Sequence, residues 1–316
     1  MSIYQDVLFV GGHGGQPFSA SGLQCAFIRS IRIWKDKFDG HSMIKAIEVL
    51  FTDGITQSKF GNSKGEVDAE FTFNEGERFE SLSLWGNGNG KRLGRIKFKT
   101  TDGREFDTGK CDGKDEYTAI VGSGLCVGIE GNSGADIDQL GFKFIKAIGK
   151  MELTNVEYPS LAFDTSSIKE VSLANFSDKN GSMVEKQWEF KNSIEETTER
   201  TWSTTFNVEL WGQFSVTAGV PEISEVTGTF GWKVGSQQNF ERKTESKITL
   251  EWSNSGSLKP GESINLEAIT RQGNLSSLEM KGNLEITTVD KKFVSIPITG
   301  FYKGIDYSKV DIITKL

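Results

Sequence analysis

The sequence predicts an all-β protein, and three observations carry this prediction. Among 316 residues there are 36 Gly, only 5 Pro and 22 Phe. Runs of β-branched and aromatic residues alternate with Gly, Asn and Asp, which is typical of short strands joined by tight turns. The spacing expected of amphipathic helices is nearly absent, and residues 206–234 alternate between apolar and polar positions as a strand does.

The first half, residues 1–153, is Gly-rich and contains short runs typical of strands. These runs read Val7–Val10, Ile31–Trp34, Ile47–Phe51, Ser81–Trp85 and Arg95–Lys99. Turn sequences such as Asp53-Gly54 and Asp102-Gly103 separate them. Short strands punctuated this often favour a sandwich, barrel or prism.

The second half, residues 154–316, has longer strands that are rich in Ser and Thr. The segments 196–206, 247–252 and 284–289 are examples. Such strands suit an elongated sheet exposed on both sides, whose free edges favour assembly with other copies.

The alternating stretch of about 206–234 predicts a hairpin with one apolar face and one hydroxyl-rich face. The sequence places the turn at Gly219-Val220-Pro221, with Glu222 beside it. Each leg is long enough to cross a bilayer as a barrel strand. The apolar face would then contact lipid through Phe206, Val208, Leu210, Phe214, Val216, Val226, Phe230 and Trp232. From the pattern alone, a half-buried hairpin in an ordinary sheet is an equally open interpretation.

Composition excludes several function classes. The net charge of -7 argues against a nucleic-acid partner. Two His residues, with neither an HExxH motif nor a P-loop, indicate that the protein is not an enzyme and needs no metal or cofactor. The first residues lack a signal-peptide pattern and no apolar run reaches 18 residues. We therefore expect a soluble protein that is cytoplasmic or released by a non-classical route.

Two loops of the first half are suited to binding a neutral sugar. One is Gly11–Gly15 and the other is Gly131–Gly141, which contains Asp138. Glycines let backbone N–H groups approach a ligand closely, and a carboxylate accepts protons from two sugar hydroxyls. Both loops could equally be simple turns, with Asp138 capping its own loop.

These loops resemble those of the jacalin-related lectins. Gly134 to Asp138 matches the G-x-x-x-D loop of that family, and Gly14-Gly15 matches its glycine loop. The resemblance implies a β-prism of three four-stranded sheets and a sugar held by Gly14, Gly15, Ala135, Asp136 and Asp138. It also implies a third loop over Trp85–Arg92, with contacts from Asn87, Asn89 and Lys91. The uninterrupted chain through Gly15 resembles the mannose-specific branch.

The second half resembles the aerolysin-type pore-forming module, and the pairing of both halves resembles the fish natterin-like or aerolysin-like proteins. This resemblance implies a lectin head that binds mannose-rich glycans on a target membrane. It further implies a homo-oligomeric ring, with a dimer possible before assembly, in which each copy inserts its hairpin into a β-barrel. Two alternatives remain open: a mannose-binding lectin with a non-inserting scaffold domain, and an intracellular membrane-channel or transport protein.

Overall fold

A computed structural model describes residues 2–23, 26–38, 40–54, 57–88, 91–111, 113, 115–161, 166–204, 214–226 and 229–315. These residues contain strands, turns and bends but no α-helix, which confirms the all-β prediction. Among them no helix is long and apolar enough to span a membrane. They form two compact units: residues 2–151 with Leu284–Ile296 in the first, and the remaining described residues in the second.

The first unit is built from three four-stranded antiparallel sheets, as the β-prism prediction requires. In spatial order, the first sheet contains β1 (Val10–Gly11), β12 (Ile137–Phe144), β11 (Cys126–Ser133) and β2 (Gln16–Ser21). The second contains β5 (Gln57–Gly61), β4 (His41–Phe51), β3 (Ile28–Phe38) and β6 (Ala69–Thr72). The third contains β10 (Tyr117–Ala119), β7 (Phe79–Gly86), β8 (Leu93–Thr100) and β9 (Glu105–Gly109). The strand expected over Val7–Val10 is shorter than predicted, since only Val10 belongs to β1.

One apolar core fills this unit. Alternation along each strand sends every second side chain inward, so all three sheets contribute to it. The buried side chains of Ile31, Ile47 and Leu84 come from different strands and are fully inaccessible. Aromatic rings pack edge to face or stacked within the core, with contributions from Phe71, Phe73, Phe79, Phe98, Phe106, Phe142 and Phe144. The core fixes the strands from whose ends the functional loops extend.

The second unit contains most of a nine-stranded mixed sheet. Its main path contains β19 (Gln238–Glu241), β16 (Ser215–Ala218), β13 (Ile148–Glu157), β21 (Ser263–Thr288), β22 (Phe293–Tyr307), β15 (Lys186–Thr204) and β20 (Lys243–Leu258). Two further strands pair with β21, namely β14 (Ile168–Lys179) and β23 (Asp311–Thr314). The 26 residues of β21 and the many exposed positions of β15 agree with the predicted long, two-sided strands.

A separate pair, β17 (Pro221–Val226) and β18 (Thr229–Val234), continues the hairpin begun by β16 and β19. The pairing runs from Ser215↔Glu241 to Val226↔Thr229, so the chain reverses direction between Val226 and Thr229. The predicted turn at Gly219-Val220-Pro221 is therefore wrong. Pro221 pairs with Val234 instead, because a proline is tolerated where a strand begins.

The register also separates residues that the alternation placed on one face. Directly paired residues share a face, so Phe230 lies with Glu225 and Trp232 lies with Ile223. Position 226 alternates with 225 and belongs to the other face, which contradicts the prediction that Val226 joins Phe230 and Trp232. Between the pairs Ala218↔Gln238 and Pro221↔Val234 the return leg contains one more residue than the outgoing leg. A one-residue offset of this kind exchanges the faces of a strand.

Candidate functional sites

Two loops of the prism meet at Asp138. A side-chain Cβ placed on Gly14 would lie 2.8 Å from Asp138 Oδ1, and one on Gly15 would lie 2.6 Å from Asp138 Oδ2. Gly15 also has a positive φ of 72°, which side chains rarely adopt. The Gly12 N–H donates to the Asp138 carbonyl at 2.8 Å, which ties the glycine loop to the start of β12. Glycine at positions 14 and 15 therefore leaves the Asp138 carboxylate open to a ligand.

The Asp138 carboxylate is half-buried and surrounded by exposed backbone. Gly14, Gly15, Gly134 and Ala135 are all exposed around it. Burial raises the pKa of Asp138 and repulsion from Asp136 adds to this, whereas the nearby Arg92 guanidinium opposes it. A partly desolvated acceptor with open backbone beside it is suited to hydroxyl groups.

Ala135 and Asp136, the other residues predicted for this loop, make contacts within the protein. The Ala135 carbonyl accepts from the Asn62 N–H at 3.3 Å. The Asp136 side chain is buried and paired with Arg92 Nε at 2.7 Å, and its carbonyl accepts from the Gly134 N–H at 3.0 Å. Its carboxylate therefore holds the loop in shape and is not presented to a ligand.

The third loop contributes differently from the prediction. The backbone of Lys91 lies against Gly12, where an added Cβ would be 2.5 Å from the Lys91 carbonyl oxygen. Asn87 is fully buried, so the predicted contact from its side chain is wrong. Asn89 lies outside the described residues. Sequence reasoning missed Arg92. Its position two residues after the glycine-rich turn of residues 86–90 is the one signal that could have identified it.

The first part of the hairpin is buried within the second unit. Phe214, Val216, Ala218 and Val220 are each at most 3% exposed. Thr217, on the other face, donates its hydroxyl proton to one of two acceptors, Glu152 Oε1 or Asn239 Oδ1, each at 2.7 Å. The apolar side of this part of the hairpin is therefore covered by protein at these four residues. Phe206, Val208 and Leu210 lie outside the described residues.

The second part of the hairpin packs on β21 through Phe230 and Trp232. The Arg271 guanidinium lies over the Phe230 ring at 4.0 Å from its centroid. Trp232 occupies a notch at Gly273, where an added Cβ would lie 2.3 Å from the indole ring. The Trp232 indole N–H also donates to Ser167 Oγ at 2.9 Å. Both predicted residues therefore contact protein in this form of the molecule.

The Asp306 carboxylate accepts a hydrogen bond from the outgoing leg of the hairpin. The Ile223 N–H donates to Asp306 Oδ2 at 3.2 Å, and burial raises the pKa of Asp306 although this hydrogen bond, that from the Tyr307 N–H and the Arg200 charge oppose the shift. Glu222, on the same leg, adds repulsion and is itself 3.7 Å from Lys233 Nζ. Glu222 therefore does not lie at the turn, where the sequence had placed it.

Comparison with known proteins identifies both parts of the chain. A family model described as a jacalin-like lectin domain matches residues 7–143. The crystal structure of lamprey immune protein matches with a TM-score of 0.91 and 30% identity, over 100% of this chain and 99% of that one. The chain belongs to the lamprey immune protein family. It combines a jacalin-like lectin domain with an aerolysin-type module.

Plant lectins match a smaller share of this chain. Malaysian banana lectin is 25% identical over 45% of this chain and 99% of its own, with a TM-score of 0.35. A mannose-binding lectin from champedak is 21% identical over 44% of this chain and 96% of its own, with a TM-score of 0.36. No curated protein sequence matches the chain.

Proposed function

We propose that this protein is a glycan-directed pore-forming protein. Its lectin domain binds mannose-rich glycans on a target membrane, and its aerolysin-type module then assembles into a ring. Each copy contributes the hairpin to a transmembrane β-barrel, whose closure satisfies every backbone hydrogen bond in lipid. The observation that carries this proposal is the hairpin of residues 214–241. Its apolar residues Phe214, Val216, Ala218 and Val220 are buried, whereas Phe230 and Trp232 pack on β21.

The sugar site supports the first step. Asp138 faces two glycine-lined loops that leave its carboxylate oxygens accessible, and charge-assisted hydrogen bonds to hydroxyls are about twice as strong as neutral ones. Single lectin sites bind sugars weakly, and attachment of several copies to one surface raises the overall avidity. Mannose specificity rests on the uninterrupted glycine loop through Gly15.

The hairpin contacts support the second step. The leg beyond Pro221 is held by a few specific contacts, namely the Gly273 notch, the Arg271–Phe230 contact and the Asp306 hydrogen bond. Few contacts of this kind make local opening less costly than unfolding of the whole unit. The β17–β18 pair can therefore detach while the sheet of the second unit stays folded.

Dye release from liposomes carrying a mannose-rich glycolipid tests the function. We expect release from these liposomes, none from glycolipid-free ones, and suppression by soluble mannan. Binding to the glycolipid liposomes without release would instead support a lectin with a scaffold domain.

The affinity for mannan is expected to fall on acidification at a higher pH than an ordinary Asp would dictate. The raised pKa of Asp138 means that the carboxylate needed as acceptor is lost earlier as the pH decreases. Calorimetric titration with mannan between pH 7 and pH 4 measures this. An affinity that stays constant over the whole range would contradict the assignment of Asp138 as the hydroxyl acceptor.

Asp306→Asn is expected to hold the hairpin more firmly at neutral pH and to slow dye release. With the hairpin docked, the pKa of Asp306 lies above its ordinary value, so the neutral form favours docking and this contribution is lost as the pH rises through the raised pKa. Asn keeps an oxygen for the Ile223 N–H and carries no charge. The rate difference between the variant and the wild type should disappear as the pH falls below the raised pKa.

The control for this prediction is Glu195→Gln, which removes an exposed carboxylate that pairs with Lys247. It should leave the release rate unchanged at every pH. Faster release by Asp306→Asn at neutral pH would contradict this prediction, because it would mean that the negative charge of Asp306 stabilises the docked hairpin.

A further inference from the structure

The first unit contains a cavity of about 360 Å³ lined by Arg78, Gly122, Ser123, Gly149 and Lys150, together with Ala147, Ile148 and Met151. Arg78 directly precedes β7, and Ser123 lies just before β11. The sugar-binding loops follow the opposite ends of these same strands, after Gly86 and Ser133. The cavity is therefore distinct from the site at Asp138.

Arg78 is the unusual residue of this cavity. Its side chain is half-buried, and no carboxylate among the described residues pairs with it. Its Nε is inaccessible and has no hydrogen-bond acceptor. An unsatisfied donor on a partly desolvated cation is costly, and the usual remedy is an anion. Other arginines of the unit do have carboxylate partners, among them Arg92, Arg95 and Arg104.

The walls of the cavity are fixed in place. The Arg78 N–H donates to Thr101 Oγ1 at 3.1 Å, and the Thr101 N–H donates back to the Arg78 carbonyl at 2.9 Å. The Ser123 hydroxyl donates to the Ile145 carbonyl at 2.9 Å and accepts from the Leu125 N–H. A site formed in advance loses little conformational freedom when a ligand binds.

We propose that this cavity binds a phosphate group, either free or as a phosphate ester. The Arg78 guanidinium supplies a planar set of donors that matches phosphate geometry, and Lys150 adds a second positive charge to the lining. Gly122 and Gly149 also line the cavity. The volume admits a phosphate together with a small group attached to it. The inference does not depend on pore formation.

Calorimetric titration of the full chain with inorganic phosphate, at constant ionic strength, tests the site. We expect saturable binding by the wild type and binding at least tenfold weaker in Arg78→Met, with Arg78→Lys between them. Arg78→Met should keep or raise the melting temperature in phosphate-free buffer, since no ion pair is lost. Lys97→Met removes an equally charged residue that pairs with Glu105 and should bind phosphate as the wild type does.

A flotation assay distinguishes the two sources of the phosphate group. It uses phosphatidylcholine vesicles with and without phosphatidic acid, free of glycolipid. Capture of the wild type but not of Arg78→Met by phosphatidic acid supports a lipid phosphate; binding of inorganic phosphate without capture supports a small ester. Phosphate binding by Asp138→Asn should be unchanged. Absence of saturable phosphate binding, or equal binding by Arg78→Met, would overturn the proposal.

Discussion

Asp138→Asn is expected to lower the affinity for mannan by at least about 100-fold per site. Two hydrogen bonds from sugar hydroxyls to a carboxylate contribute about 1.5–3 kcal/mol each, and the amide replaces one acceptor oxygen with a donor. The substitution preserves shape and removes a charge that burial already disfavours, so the fold should be retained. Calorimetric titration with mannan measures the affinity, and the melting temperature confirms the fold.

Glu130→Gln is the matched control for this prediction. Glu130 lies on β11 in the same sheet and pairs with Lys143, away from the glycine loops. Its replacement should leave mannan binding unchanged. The dye release that depends on mannan binding should also be unchanged. Retained mannan binding by Asp138→Asn would place the sugar outside the two converging loops.

Val234→Arg is expected to abolish dye release while leaving mannan binding intact. Val234 is 51% exposed, so the fold accommodates a charge there. It alternates with Trp232 and Phe230 on one face of β18, the face proposed to contact lipid. An arginine facing the middle of the bilayer costs about 2–4 kcal/mol per copy, and a ring multiplies this cost by its number of subunits.

Lys233→Gln controls for a change of charge on the opposite face of the same strand and should release dye as the wild type does. Val216→Arg is a less informative probe, because Val216 is fully buried and its replacement would destabilise the fold itself. Undiminished release by Val234→Arg, with mannan binding retained, would mean that this face of β18 does not meet lipid.

The sequence was sufficient for the fold class because alternation, turn residues and strand length are local properties. It was also sufficient to bring Gly14, Gly15 and Asp138 together, through the resemblance of two short motifs. It failed at Pro221, which was interpreted as a turn residue although it begins a strand. The pairing partner of a strand residue is a non-local property, so alternation alone could not place the reversal between Val226 and Thr229.

The roles within the sugar site were also beyond local reasoning. Asp136 and Asp138 are two carboxylates in one loop, and their surroundings give them different roles. Asp136 forms an ion pair that holds the loop, whereas Asp138 is open to a ligand. The difference arises because Arg92 binds Asp136, and these two residues are 44 positions apart in the sequence. The resemblance implies a ligand contact from Asn87, yet packing encloses this residue completely.

The one-residue offset within the hairpin has a kinetic consequence. In the present register Phe214 and Val216 share the face of Glu222 and Ser224, whereas Phe230 and Trp232 lie on the other face. A lipid-facing surface that includes all four apolar residues requires β17 and β18 to slip by one position. Every backbone hydrogen bond of that pair must break before it forms again. In the proposed insertion, conversion would therefore be slow and steeply temperature-dependent even after assembly. A ring of unconverted subunits would then persist long enough to be isolated in the cold.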